Sequence, residues 1–457
     1  MRPHRNDGRG DAPDISRIGF GAAGAPLISL EKRAMSRRPL IFLLASNTIS
    51  ITGNVFTMLA VPWFVLETTG STTRTGLAAF ASMLPVIISA TFAGTLVDRL
   101  GLRRSSVLSD LMSGLIVAAI PTLFLTTGLS YGLMLALLFV RWLLATPGDT
   151  AREAMIPDLA ERGRVSMERA TAAYDSVYRS AQMAGAALGG VLIAWLGPTA
   201  LLFVDGATFL SSALLVHFGV PQFVHETSEP GVGRYLHGLK EGMSFLWHDR
   251  LQRWAVAMIL VSNLLDIGLS QVLLPTYARD VLHDSRAFGL LLGAVGAGSV
   301  VGSIIYGAVG ARLPRRMTFA VCFLIGAIPR PLVLAVGAPF WIAVVITFVA
   351  GLAAGAINPL LGVMQFERIP ARLRARVLGA ITAGAYAGMP LGGLLAGSLA
   401  DIIDLKATLL LFTLIYLLAS MPPFLSRAWQ EFDRAKPSSG AAPKQDADDQ
   451  REEIEHK

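Results

Sequence analysis

The chain has 457 residues, 53% hydrophobic and only 16% charged, with a formal net charge of +7 and a mean hydropathy of +0.55. A soluble protein of this length carries about 25% charged residues, so the composition excludes a water-soluble enzyme or binding module and calls for lipid around most of the surface. The single cysteine, Cys322, excludes an intramolecular disulfide, and no metal site is expected. The positive charge lies in short segments between apolar runs, which points to membrane orientation and not to a nucleic-acid partner.

Residues 1–36 are polar and rich in Gly and Arg, and lack the early apolar core of a secretory signal. They are expected to form a disordered cytoplasmic arm. Apolar runs of bilayer-crossing length, about 20 residues, then recur at 40–65, 75–97, 105–127, 130–149, 171–196, 199–219, 254–277, 288–311, 317–337, 339–364, 377–400 and 406–426. The fifth is the weakest, because Asp175 and Arg179 fall in its first turns. With the N-terminus inside, the inner loops hold Arg99, Arg103, Arg104, Arg152, Arg162, Arg312, Arg315, Arg316 and further bases, while the outer loops offer only Arg74, Arg279, Arg286 and Lys406. Both termini are therefore predicted to be cytoplasmic.

The segment 220–253 is the one long connection, and it divides the spans six and six. Within it Tyr235, Leu236, Leu239, Met243, Leu246 and Trp247 recur at helical spacing, which predicts an amphipathic helix on the inner membrane surface or, alternatively, one that binds a partner. The expected organisation is a bundle over 37–219, this linker, a second bundle over 254–427 and a disordered cytoplasmic tail over 428–457. The halves match locally. Gly94 to Arg104 has a counterpart in Gly307 to Arg316, and Gly185-Ala-Ala-Leu-Gly189-Gly190 has one in Gly388-Met-Pro390-Leu-Gly392-Gly393, in the same order, as in duplicated transporter halves.

The pattern Gly94-x-x-x-Asp98-Arg99-x-Gly101-x-Arg103-Arg104 resembles the cytoplasmic loop signature of the major facilitator superfamily. The resemblance implies an all-α membrane protein with twelve transmembrane helices in two pseudo-symmetric six-helix bundles. It also implies that Asp98 latches the outward-facing state against the N-terminus of span eleven, near Val377, with Arg99 and Arg103 as charge partners. A helix N-terminus favours an anion, and the glycines permit a tight turn. Leu102 stands where the family usually has a base, and the second copy has Ala311 in place of the acid. The alternative reading is a basic loop that only orients the chain.

Gly185, Gly189 and Gly190 resemble the glycine-rich motif of the family's antiporters, with Ala186 in place of its proline; Gly388, Pro390, Gly392 and Gly393 form the twin. Small residues at this spacing allow close packing and bending, which is also their plain structural reading. Phe203-Val-Asp205-Gly-Ala-Thr-Phe209-Leu210, Gly238 to Trp247, Leu274-Pro-Thr-Tyr277 and Gly351 to Gly379 resemble the bacterial macrolide-efflux and enterobactin-exporter branch. The resemblance covers about residues 38–427.

Arg141, Asp205, Asp266 and Arg330, flanked by Pro329 and Pro331, are ionisable residues inside spans. Each costs about 2.5–3.5 kcal/mol facing lipid at mid-span, so they should face a central cavity or pair with one another. Asp266 is the first choice for proton coupling and Asp205 the second; a structural pair and a simple cavity acid are the alternatives. Asn47, Asn54 and Asn263, with Phe56, Trp63 and Tyr386, are candidate cavity lining or packing. No GxSxG, HExxH or Walker A pattern occurs, so no enzyme is expected and no cofactor beyond an ion gradient, most simply of protons.

The expectation is a monomeric multi-pass transporter of the cell membrane that exports a drug-like or siderophore-like amphipathic molecule by proton antiport, and so confers drug resistance. The alternatives are a proton symporter or uniporter of a metabolite and, from another class, a non-transporting membrane receptor or scaffold.

Overall fold

Runs of Leu, Ile, Val, Ala and Phe leave no backbone partner but the chain itself, and in lipid that forces helix. The computed structural model describes residues 36–90, 92–222, 232–370 and 373–432, and it is helical almost throughout. The first part of the chain contains α1 (Arg38–Thr69), α2 (Thr72–Ala90), α3 (Ala93–Leu100), α4 (Leu102–Thr126), α5 (Tyr131–Ala154), α6 (Ile156–Gly163) and α7 (Met167–Gly219). A helix α8 (Val232–His248) follows. Then come α9 (Arg250–Gly268), a π-helical turn (Leu269–Leu273), α10 (Leu274–Asp280), α11 (Ser285–Val309), α12 (Arg315–Ala327) and α13 (Pro329–Ala335). The series closes with α14 (Phe340–Ala354), α15 (Ile357–Arg368), α16 (Arg374–Tyr386), α17 (Met389–Ile403), α18 (Leu405–Ala419) and α19 (Pro422–Leu425).

Ten helical segments among the described residues are long and apolar enough to cross a bilayer, or eleven with the bent pair α2–α3 counted as one. α7 is broken at Gly197, whose φ of 78° is open to glycine and costly for other residues, and Pro198 restarts the helix. Residues 1–35 of the expected arm over 1–36, the tail beyond 432 and the side chains of Tyr235, Leu236 and Leu239 lie outside the described part. Exposed apolar side chains such as Ile41, Leu115, Ile304, Val345 and Leu414 stud the helices along their length. Such a surface suits hydrocarbon and not water.

The chain runs up and down between two ends. One bears Asp98, Arg164, Asp249 and Glu367, and is called here the Asp98 end; the other bears Gly70, Gly128, Gly337 and Asp401, and is the Asp401 end. α1 lies along α7, and α4 packs on α5 and α7; in the second part α11 lies along α14, α9 along α17, and α13 along α18. Between the two parts the main contacts form two seams, α2 on α17 and α7 on α11.

Glycines set the approach in both places. A Cβ on Gly189 would come within 2.5 Å of Leu59 in its own part, and one on Gly190 within 2.5 Å of the Gly289 Cα across the seam. In the twin, Gly392 meets the Leu264 carbonyl of its own part, and Gly393 meets Ala79 across the other seam. Adjacent glycines thus serve one contact within a part and one between parts, in both copies. Pro390 stands where α16 gives way to α17, whereas α7 runs unbroken through Ala186. A methyl on Gly392 would lie 1.9 Å from the Leu264 oxygen. Gly392→Ala is therefore expected to cost about 1–3 kcal/mol of stability, the usual size for overpacking; an unaltered unfolding temperature in detergent would contradict this contact.

Two features differ from the expectation. Arg152, read as a loop base, lies within α5 and is 2% exposed. Residues 428–432, read as the start of a disordered tail, belong to a 3-10 turn (Arg427–Phe432) that buries Trp429 completely, its ring stacked on Phe319 with centroids 4.9 Å apart. Arg368 ties this turn down through Glu431 at 3.0 Å and reaches Asp249, the N-cap of α9, also at 3.0 Å. α8 packs onto α16 through Gly242 and Leu246, and leaves Met243 and Trp247 exposed.

Candidate functional site

Three polar clusters interrupt the apolar helices, two centred on buried charges and one, around Asp266, partly open. In the first, Arg141 of α5 is fully buried. It donates to Asn54 of α1, and its guanidinium carbon lies 3.9 Å from the Trp142 ring centroid and 5.0 Å from that of Phe209. Two aromatic faces and one amide hold the cation, while its Nε and Nη1 find no hydrogen-bond partner among the described residues.

Asp205 of α7 is equally buried and accepts hydrogen bonds from Thr57 and, at 3.2 Å, from Thr208. Gly53 makes this possible, since a Cβ there would stand 2.2 Å from the Asp205 carboxylate. The structure thus gathers Arg141, Asp205 and Asn54 in one interior region. Among the described residues, however, no ion pair joins the acid to the base.

In the second cluster Asp266 and Arg330, singled out separately in the sequence, form an ion pair at 2.8 Å. Tyr416 of α18 donates to the same carboxylate oxygen, also at 2.8 Å. Arg330 is placed by a helix restart between Pro329 and Pro331. Asp266 closely precedes the π-helical turn, and Ser270 of that turn donates back to its carbonyl at 2.6 Å. A π-turn widens a helix locally and is frequent at working sites.

The third cluster was not anticipated. Asp110 of α4 accepts from Nη1 of Arg152 with both carboxylate oxygens, at 2.8 and 2.9 Å, from Ser212 at 2.6 Å and from Ser50 at 3.5 Å. Arg152 also bonds Asp149 at 2.6 Å. Four helices, α1, α4, α5 and α7, meet on this one carboxylate. An acid five residues into the predicted third span was the signal that could have revealed it.

Beside the α7–α11 seam lies a cavity of about 250 Å³ lined from both parts, by Met58, Tyr178, Arg179, Gln182 and Met183 on one side and Leu292 on the other. Adaptable methionines next to a cation and an amide suit an amphipathic guest. Of the cavity residues named from sequence, Asn54 is engaged by Arg141, and Asn263 bonds the Ala385 carbonyl at 2.9 Å. Asn47 is buried, Phe56 and Trp63 belong to the core, and Tyr386 is half exposed. Arg179 was legible only as one of the two charges that weaken the fifth run, and its neighbours Tyr178 and Gln182 gave no signal in the sequence.

At the Asp98 end, Gly94, Asp98 and Arg99 are exposed. Gly101 holds a φ of 84° between α3 and α4, and Arg103 donates to the His217 carbonyl, which fastens the start of α4 to the end of α7. Among the described residues Asp98 makes neither an ion pair nor a hydrogen bond, so Arg99 and Arg103 are not its partners in this state. The start of α16 is instead occupied by α8, with Arg376 paired to Glu241.

The chain is similar to known proteins over nearly its whole length. The family model described as transmembrane secretion effector matches residues 35–451. The multidrug efflux pump Tap of Mycobacterium tuberculosis is 32% identical over 412 residues, covering 88% of this chain and 97% of that protein. The staphyloferrin A transporter of Staphylococcus aureus is 22% identical over 272 residues, 58% of this chain and 66% of that one. A crystal structure of the nucleoside transporter NupG superposes with a TM-score of 0.72 at 11% identity, covering 84% of this chain and 99% of that one, a likeness of fold alone. The all-helical frame, its membrane-length spans and the extent of the match place this chain in the transmembrane secretion effector family of the major facilitator superfamily, as a membrane transporter and not an enzyme.

Proposed function

We propose that this transporter exports a small amphipathic molecule, drug-like or siderophore-like, in exchange for protons, by alternating access across the cell membrane. The observation that carries the reading is the 32% identity to a multidrug efflux pump over 97% of that pump's length. In this proposal twelve helices form two pseudo-symmetric six-helix bundles, with residues 167–196 as the fifth span. That stretch is helical and precedes the Gly197 break, and its charges Asp175 and Arg179 explain its low hydropathy. The arginine distribution sets the Asp98 end and both termini in the cytoplasm. The Asp401 end is then outside, and the seams closed there support the reading of an inward-open state. The substrate would enter beside Met58, Met183 and Arg179.

Asp205 is the better of the two coupling acids. Protonating it breaks no ion pair, only hydroxyl contacts that can reorient, whereas protonating Asp266 breaks the bond to Arg330. Expression in a bacterium stripped of its own efflux pumps tests the function. Accumulation of at least one compound from a panel of cationic dyes, macrolides and siderophores should fall, and should recover when the pH gradient is collapsed. Efflux that survives that collapse rules out proton drive; a panel with no response rules out export of this class.

A further inference from the structure

The seam between α2 and α17 ends on an acid that no motif marks. Asp401, in the last turn of α17, reaches the first turn of α2 in the other part of the molecule. Its carboxylate accepts the Thr73 backbone N–H at 2.9 Å, the Thr72 hydroxyl, and the Ser71 hydroxyl at 3.3 Å. Thr72 also donates to the Gly397 carbonyl at 3.1 Å. The backbones touch along the whole approach, since a Cβ on Gly397 would lie 2.4 Å from the Thr72 oxygen and one on Gly76 2.3 Å from the Gly393 oxygen. An acid at the start of a 19-residue helix is held by both the free N–H groups and the macrodipole.

We propose that Asp401 is a positioning residue of the transport cycle, a latch that holds the Asp401 end shut and is the reciprocal of the latch expected of Asp98. The symmetry is specific. Asp98 stands at one end of the span formed by α2 and α3, facing the end where α16 begins; Asp401 stands at the far end of the span formed by α16 and α17, on the N-terminus of α2. Each helix of the pair carries an acid at its C-terminal end, suited to the N-terminus of the other. In this state one acid is engaged and the other is exposed and unbonded among the described residues. The second seam, α7 against α11, has Pro198 and Ala311 at the two matching positions, and neither is an acid. One helix pair therefore carries both switches, and opening one end frees the geometry that closes the other. Asp401 and its hydroxyl partners act on access and do not touch the substrate cavity.

The inference rests on alternating access, and the test separates the two. In a Cys322→Ser background, spin-label pairs at Thr127 and Lys406 read the Asp401 end, and pairs at Glu161 and Arg312 the Asp98 end, by double electron–electron resonance in nanodiscs. Asp401→Ala removes three hydrogen bonds to a carboxylate and is expected to move the population at least about tenfold toward longer distances at the Asp401 end and shorter ones at the Asp98 end, since loss of even one charge-assisted hydrogen bond is worth that much. Thr72→Val, a milder change, should move it the same way by less, and guards against misfolding of the first variant. Asp98→Ala should move both pairs in the opposite sense. Opposed changes in Asp98→Ala with none in either Asp401→Ala or Thr72→Val overturn the latch and leave alternating access standing. Distances at the two ends that never change in opposition, in any variant or on adding dye, overturn alternating access itself.

Discussion

Asp110→Ala is expected to produce the largest loss of folded protein of any single substitution in the first part of the chain. The carboxylate accepts from Arg152, Ser212 and Ser50, and its side chain and that of Arg152 are each 3% exposed. Removing it leaves a buried guanidinium with Asp149 as its remaining acid among the described residues, and Asp149 is itself half exposed and more open to solvent screening. Breaking a buried pair in this way costs about 3–5 kcal/mol, because the surviving charge has no water to return to. The Arg152 guanidinium cannot shed its proton to escape.

The measurement is the unfolding temperature and monodisperse yield in detergent. Asp110→Asn should recover part of the loss, since the amide oxygen can still accept from Arg152, and the double variant Asp110→Leu, Arg152→Leu should recover more than either single one. A single alanine variant as stable as the parent would mean that the cluster is solvated, contrary to its burial. The position of the cluster gives the size of the effect its reason. It is the point where α1, α4, α5 and α7 converge near the Asp98 end, so a defect there loosens four helices together.

The spans could be read from the sequence because a bilayer imposes a length and a composition on anything that crosses it. Where hydropathy was the only force at work, as over Ser285–Val309 or Phe340–Ala354, the predicted and observed helices agree to within a few residues apart from the far end of the tenth run, where α14 yields to α15. The polar interior was only partly legible, and for a different reason. Asp205, Arg141, Asp266 and Arg330 stood out as charges in apolar surroundings, but which of them would pair is decided by helix rotation and tilt, and no single span records either. Asp266 and Arg330 come from helices 64 positions apart in sequence, and Tyr416, which completes their cluster, looks in the sequence like any other aromatic of an apolar run.

Arg152 was misread because a base near the end of a span resembles an orienting loop charge, and only its bond to Asp110 tells the two apart. Asp401 escaped notice altogether. It lies one residue past the predicted eleventh run, where a lone acid is ordinarily a solvated loop residue. Trp429 was hidden by its polar flanks, which give the end of the chain the look of a solvated tail.

The second large effect concerns coupling, where the two intramembrane acids make opposite predictions. Asp205 is held by Thr57 and Thr208, hydroxyls that can turn to donate to a carboxylate or accept from a carboxylic acid. Arg141 lies in the same interior with two of its nitrogens unbonded among the described residues. An acid that can take up a proton without breaking an ion pair, near a cation whose remaining donors are open, is built to change charge. Asp266, fixed by Arg330 and Tyr416, is built to keep it.

Asp205→Asn is accordingly expected to reduce pH-gradient-driven efflux in proteoliposomes to the level of empty vesicles, and to abolish substrate-induced proton movement reported by a trapped pH dye. Substrate-for-substrate exchange should survive, because the asparagine imitates the protonated state throughout. Asp266→Asn should leave proton movement per substrate unchanged and instead lower stability by about 1 kcal/mol, the cost of replacing the charged acceptor of Arg330 with a neutral amide oxygen. If Asp266→Asn uncouples transport while Asp205→Asn does not, the coupling site belongs to the second part of the chain and Asp205 is a structural acid. The exchange measurement makes the outcome decisive, since a variant that merely misfolds loses exchange together with coupling, and one that has lost only its proton carrier does not.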